Sequence, residues 1–222
     1  MVWGFSARWL PVFLGLRPMF SRVLVAALAA NSVGVVAALL GYFAPATVLM
    51  LVGSVCAGIS IRILEPSIQK PKVAGVHRSF PLFVRLAYLW LVVAGVLGIW
   101  AEFNARLSPG IWGASRHALT VGFISAMVFS VGQRILPSFG GMRTLASPML
   151  MFAGLALLTL GCTLRVSAEI LAYQGYAGWA WDVLPVSALI EMTAVTLFAI
   201  NLAWTFLRPP VVAQGPLTQF AE

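Results

Sequence analysis

Few side chains in this chain can do chemistry, and most of those sit among apolar residues. Glu191 lies about eight residues into a long apolar run. Placing an acid at such a depth in a membrane costs about 2.5–3.5 kcal/mol, so it needs a partner or a role. Ser187 and Asn201, at i−4 and i+10, fall on nearly the same helical face as Glu191, while Thr193 and Thr196 point away. This sparse polar stripe suits a proton path or the polar edge of a cofactor. It is equally compatible with Glu191 pairing with an Arg of a neighbouring helix or staying protonated.

Arg165 and Glu169 form an i, i+4 pair at the end of another apolar run. A salt bridge is the plain reading; an anchor for the acidic groups of a haem is the sharper one. The chain has two histidines. His117 opens the fourth apolar run beside Arg116, and His77 lies in a polar loop beside Arg78. The topology argued below puts them on opposite membrane faces, about 30 Å apart, so they cannot share one iron or copper. Met127 is about 15 Å along the helix from His117 and does not serve as its co-ligand. A site of several histidines therefore needs ligands from elsewhere. Cys56 and Cys162 read as small apolar packers in different spans. No Ser/His/Asp order, phosphate loop, nucleotide fingerprint or Cys-x-x-Cys is present, so hydrolase and nucleotide chemistry have no support.

The elements that must position these residues are helices in lipid. Six apolar stretches cover roughly 21–42, 47–64, 82–101, 117–136, 148–164 and 183–207. About 20 apolar residues in a helix cross the hydrocarbon layer. The chain is 61% hydrophobic and 9% charged, far below the roughly 25% charged of soluble domains. Backbone polar groups in lipid must be satisfied within a helix or a closed barrel. These runs lack period-2 alternation and are too long for barrel strands. The expected fold is an all-α polytopic bundle of about six transmembrane helices.

The net charge of +8 is spread over segment ends rather than gathered in a patch, which argues against nucleic acid as a partner. Eleven of the 14 Lys and Arg residues, among them Arg8, Arg62, Lys70, Arg85 and Arg134, fall on one side, and Arg106, Arg116 and Arg165 on the other. The positive-inside rule makes both termini cytoplasmic.

Residues 1–20, with Pro11 and Pro18, are too interrupted to span and read as an interfacial or loop segment; they lack the form of a signal peptide. Residues 21–207 form the membrane domain and 208–222 a cytoplasmic tail. Residues 103–116 read as an outer loop with a Pro109–Gly110 turn, and the aromatic stretch 167–182 as an outer interfacial belt. Small residues recur within the spans, as Ser54 with Gly58, Gly95 with Gly98, Gly122 with Ala126, and Gly154 with Gly161. Such spacings allow close helix contact in lipid.

The stretch 116–143, RHALTVGFISAMVFSVGQRILPSFGGMR, resembles the signature region of the NnrS family. His117, Ala118, Leu119, Thr120, Val121 and Gly122 match its His-Ala-Leu-Thr-Val-Gly, and Arg134 its inner-end Arg. The stretch 84–91, VRLAYLWL, is similar to the helix before that signature. Family members are bacterial inner-membrane proteins described as containing haem and copper and linked to the nitric oxide response. The resemblance implies haem and copper as cofactors, with His117 as a metal ligand and Arg116 and Arg165 beside the cofactor. The family's Gly-His-Thr-Gly after the inner-end Arg is replaced here by Leu136-Pro137-Ser138-Phe139-Gly140-Gly141. Family members also have about twice as many spans, so the chain resembles a C-terminal half whose missing ligands would come from an N-terminal half or a homo-oligomer. The competing expectation is a transport or scaffold bundle that passes a small ion along the Glu191 stripe.

Overall fold

The computed structural model describes residues 2–71, 75–104, 108–141 and 144–208. Lys72, Arg106 and Arg143 of the charge bias, and the tail 209–222, lie outside the described residues. The fold among them is helical. A short α1 (Val2–Leu14) precedes α2 (Ser21–Leu39), α3 (Phe43–Ile61) and α4 (Phe80–Phe103). Next come α5 (Ser108–His117), a π-helical segment (Ala118–Ser125) and α6 (Ala126–Phe139), which follow one another without a break. The chain ends in α7 (Pro148–Tyr173) and α8 (Ala180–Leu207).

Six of the described helical stretches are long and apolar enough to cross a membrane: α2, α3, α4, the continuous Pro109–Phe139, α7 and α8. This is a multi-pass membrane protein, and its solvent is the lipid bilayer. Exposed Leu189, Met192, Val195 and Ile200 on α8, like Val25, Val33 and Val36 on α2, are at home there. Lengthwise packing pairs α2 with α3 and α7 with α8. Among the described residues three apolar clusters fill the bundle, the smallest of them Ala168, Ala172 and Ala180 where α7 ends and α8 begins. One gathers Leu10, Leu14, Phe80, Val84, Met151 and Leu155. Another gathers Leu97, Ile111, Ala114, Ala118, Cys162 and Val166.

Three boundaries differ from the sequence reading. Within the segment read as interfacial or loop, residues 2–14 are a helix, and Leu10 and Leu14 are fully buried against the bundle. Pro11 is accommodated inside it. The supposed outer loop before His117 is helical from Ser108. Pro109 sits in the first turn, where a missing N–H costs nothing. The tip of this helix packs on protein, not lipid. A Cβ at Gly110 would fall on the Tyr173 side chain, and one at Gly113 on the Glu169 carboxylate. Hydropathy overlooks such a stretch, because its glycines and polar residues face a neighbouring helix. For the same reason α7 does not stop at residue 164 but runs on to Tyr173. In the stretch read as a belt, exposed Tyr176 and Trp179 follow α7, and Trp181 lies 5.0 Å, centroid to centroid, from Tyr173.

Candidate functional site

The depth of each polar side chain follows from these boundaries. His117 is eight residues past Pro109, or about 12 Å along its helix. Glu191 is eleven residues past Ala180, about 16 Å in. Arg165 lies eight residues, about 12 Å, before the end of α7. Helices α5 and α8 both start, and α7 ends, on the side that the charge bias marks as outer. The three residues therefore share one level in the outer half of the bundle, and His117 is not at the interface where the sequence reading put it.

At that level His117 Nε2 lies 2.7 Å from Glu191 Oε1, a close charge-assisted hydrogen-bond distance. Both side chains are partly buried, 22% and 15% exposed. Neither an Arg partner nor a lone protonated carboxyl is needed to account for Glu191. Among the described residues His117 Nδ1 has no hydrogen-bond partner. Two features set the pair in register. Gly161 on α7 removes a side chain where α8 comes closest: a Cβ there would stand 2.6 Å from Glu191 Cγ and 3.2 Å from the Ser187 carbonyl. And the helix widens to π directly after His117. Ser125 Oγ donates to Thr120 O at 3.0 Å, five residues back, and Thr120 Oγ1 donates to Arg116 O at 2.8 Å. Such π turns are rare and often mark functional sites.

Glu169 and Arg165 flank the pair. The Glu169 carboxylate is buried against the backbone of Gly113 and is in electrostatic range of both Arg165 and His117. Arg165 Nε is 3.8 Å from Glu169 Oε2, an ion pair too long for a hydrogen bond, and this buried Nε has no acceptor. Arg116 is exposed, with its guanidinium 6.0 Å from the Trp112 ring centroid.

The polar stripe of α8 does not act as one unit. Ser187 is spent locally, donating to Leu184 O at 2.7 Å. Asn201 lies ten residues, about 15 Å, below Glu191 and belongs to a separate lock. Its Nδ2 donates to Gln133 Oε1 at 2.7 Å and to Ser147 O at 2.9 Å, and its Oδ1 accepts from Ser147 N–H at 3.0 Å. Thr205 extends the lock by accepting from Ala146 N–H at 2.9 Å. These bonds tie α6 and the start of α7 to α8. Sequence reasoning missed Gln133 and Thr205, although a Gln inside an apolar span was a signal. His77 is held in its own turn, with Nδ1 2.7 Å from Ser79 Oγ.

The two stretches that carry the family resemblance pack on each other. Gly122 gives its open face to Trp90, whose Cγ would be 2.5 Å from a Cβ there, and Phe123 meets Tyr88 edge-on at 5.5 Å. Gly122 therefore serves contact between helices, and the wider turn after His117 is seated on α4.

Residues 10–207 match the family described as Domain of unknown function (DUF8744). The chain belongs to that family. Its span takes in every long helix and every residue of the site. No curated protein and no solved structure gave a match. Among the described residues no three His, Cys, Asp or Glu side chains converge as a metal centre would require. What the site has is one imidazole with a carboxylate behind it and an unsaturated cation nearby. That set could supply one metal ligand and an anchor for an acid group, not a complete coordination sphere.

Proposed function

We propose that this chain is a haem- or copper-binding protein of the bacterial inner membrane, linked to the nitric oxide response, in which His117 is a metal ligand. The observation that supports the reading is the 2.7 Å contact between His117 Nε2 and Glu191 Oε1. Metal-bound imidazoles usually donate their other N–H to a carboxylate, which fixes tautomer and orientation. With its proton on Nε2, His117 keeps a lone pair on Nδ1. Arg165, whose buried Nε has no acceptor, and exposed Arg116 would hold the acid groups of a haem. A bound haem or copper would supply redox chemistry and a position for a diatomic ligand. The remaining ligands come from a second copy of the chain or from an N-terminal half.

The test is an optical spectrum with iron and copper analysis on purified protein. A Soret band or stoichiometric copper that disappears in His117→Ala supports the reading. Metal retained in full by His117→Ala sinks it.

One observation favours a second reading, a bundle that passes protons or a small ion. Glu169, His117 and Glu191 are three ionisable groups gathered in the outer half of the bundle, with Glu169 in electrostatic range of His117 and His117 in contact with Glu191. On this reading metal is absent, and proton flux into protein-loaded vesicles falls in Glu191→Gln. The path would not include Asn201, which is committed to its lock.

A further inference from the structure

A groove of about 460 Å³ opens between α3 and α4. Its walls are apolar: Val55, Ile59, Leu64, Leu89 and Val92, with Gly58 forming the floor. Ile59, Leu64 and Leu89 are more than half exposed, so the groove faces lipid. From Ser54 to Arg62 it follows eight residues of α3, about 12 Å.

The groove is closed at one end by charge. Arg62 caps α3 in the left-handed conformation, with φ 61°, and its guanidinium lies 3.7 Å over the Phe20 ring. Phe20 is itself pinned, because its N–H donates to Ser60 O at 2.9 Å and its carbonyl accepts from Ser60 Oγ at 2.9 Å. Arg62 Nη1 bonds both oxygens of Glu65 at 3.0 and 3.1 Å, and Arg85 Nη2 donates to Glu65 O at 2.9 Å. Arg62 meets the Glu65 carboxylate and Arg85 the backbone carbonyl of the same residue, so two guanidiniums and a single carboxylate gather here and leave a net positive charge. The Nε of Arg62 and the Nε of Arg85 are both buried without an acceptor.

We infer that this groove binds one anionic phospholipid, with an acyl chain along Gly58 and Val55 and the phosphate at Arg62 and Arg85. An apolar slot between two spans that ends in surplus cation at headgroup level has the complementarity such a lipid requires. A neutral lipid would fill the slot but leave the charge unanswered. An apolar helix from another protein would bring no anion to that end. This site is independent of His117 and Glu191, which lie on other helices.

The test is native mass spectrometry of the full chain in detergent, with palmitoyl-oleoyl phosphatidylglycerol or the matching phosphatidylcholine added. Wild type is expected to retain one phosphatidylglycerol, preferred about fivefold, the effect of one net charge near the surface. Arg62→Gln with Arg85→Gln should abolish the preference, and Arg62→Lys should keep it. Gly58→Leu places a side chain in the slot, where a Cβ meets only Ile63 at 3.6 Å and Tyr88 at 3.9 Å, so retention of both lipids should fall. If the double variant does not fold, Gly58→Leu decides alone. Equal retention of the two lipids by wild type, or undiminished retention by Gly58→Leu, overturns the proposal.

Discussion

His117 and Glu191 are 74 residues apart in the chain and 2.7 Å apart in the structure. Each comes from a different membrane-spanning segment, and each would be costly in lipid without the other. Their contact is the most specific polar relationship in the outer half of the bundle.

The cost of breaking it should depend on what replaces the acid. Glu191→Ala strands a part-buried imidazole nitrogen and is expected to lower stability by about 1–3 kcal/mol. Glu191→Gln keeps an oxygen at the same reach and should cost less than about 1 kcal/mol. Denaturant titration in detergent, followed by helical circular dichroism, gives both values. Equal losses would mean that the bond is not what holds Glu191 in place.

Gly161 controls how closely α7 and α8 approach. In Gly161→Ala the new Cβ meets the Ser187 carbonyl and the Glu191 backbone nitrogen at 3.2 and 3.3 Å, and backbone cannot swing aside as a side chain does. A loss of about 1–3 kcal/mol is expected, as for other overpacked contacts. The same shift should loosen His117. Nitrogen NMR of the imidazole would report it as a change in tautomer signature relative to wild type.

The lock around Asn201 is structural. Asn201→Leu removes three hydrogen bonds and leaves the Ser147 N–H and Gln133 Oε1 unpaired. It should cost about 1–3 kcal/mol, whereas Gln133→Leu removes a single bond to Asn201 and should cost less. Bonds between membrane helices average about 0.6 kcal/mol in double-mutant cycles, so the Gln133–Asn201 coupling is expected near that value. Metal or lipid retention should not change in either variant.

If the metal reading is right, Glu191→Gln should weaken metal affinity about 10–100-fold, the usual effect of losing a carboxylate behind a ligand. Arg165→Gln should separate the two candidate cofactors. Haem carries acid groups for Arg165 to hold and copper does not, so haem retention should fall while copper retention stays level. Titration of purified protein with hemin and with copper, read optically, gives the comparison.

Much of this protein was legible in one dimension because lipid imposes a one-dimensional rule. A span must be about 20 apolar residues long with its backbone bonded internally. Six spans therefore stood out before any contact was known. Glu191 stood out too, since acids are rare in such runs, whereas the sequence reading places His117 at the interface and the family resemblance marks it instead. Gly154 and Gly161 were recognisable as contact residues, and both face α8. Ser54 and Gly58, four residues apart rather than seven, line the open groove beside α4.

What the sequence determined alone was the class of fold, the number of long helices and the shortlist of costly side chains. Only the tertiary structure decided which of those side chains meet. Helical periodicity put Ser187, Glu191 and Asn201 on one face, but a face has length as well as direction. Glu191 found its partner on the segment bearing His117, and Asn201 found others on α6 and before α7. Hydropathy likewise missed the starts and ends of helices whose tips pack on protein, as at Gly110 and Gly113 against α7. Apolar length records contact with lipid. Pairing between helices depends on depth, on glycine clearances of a few ångströms and on the π turn after His117, and these exist only once the bundle has closed.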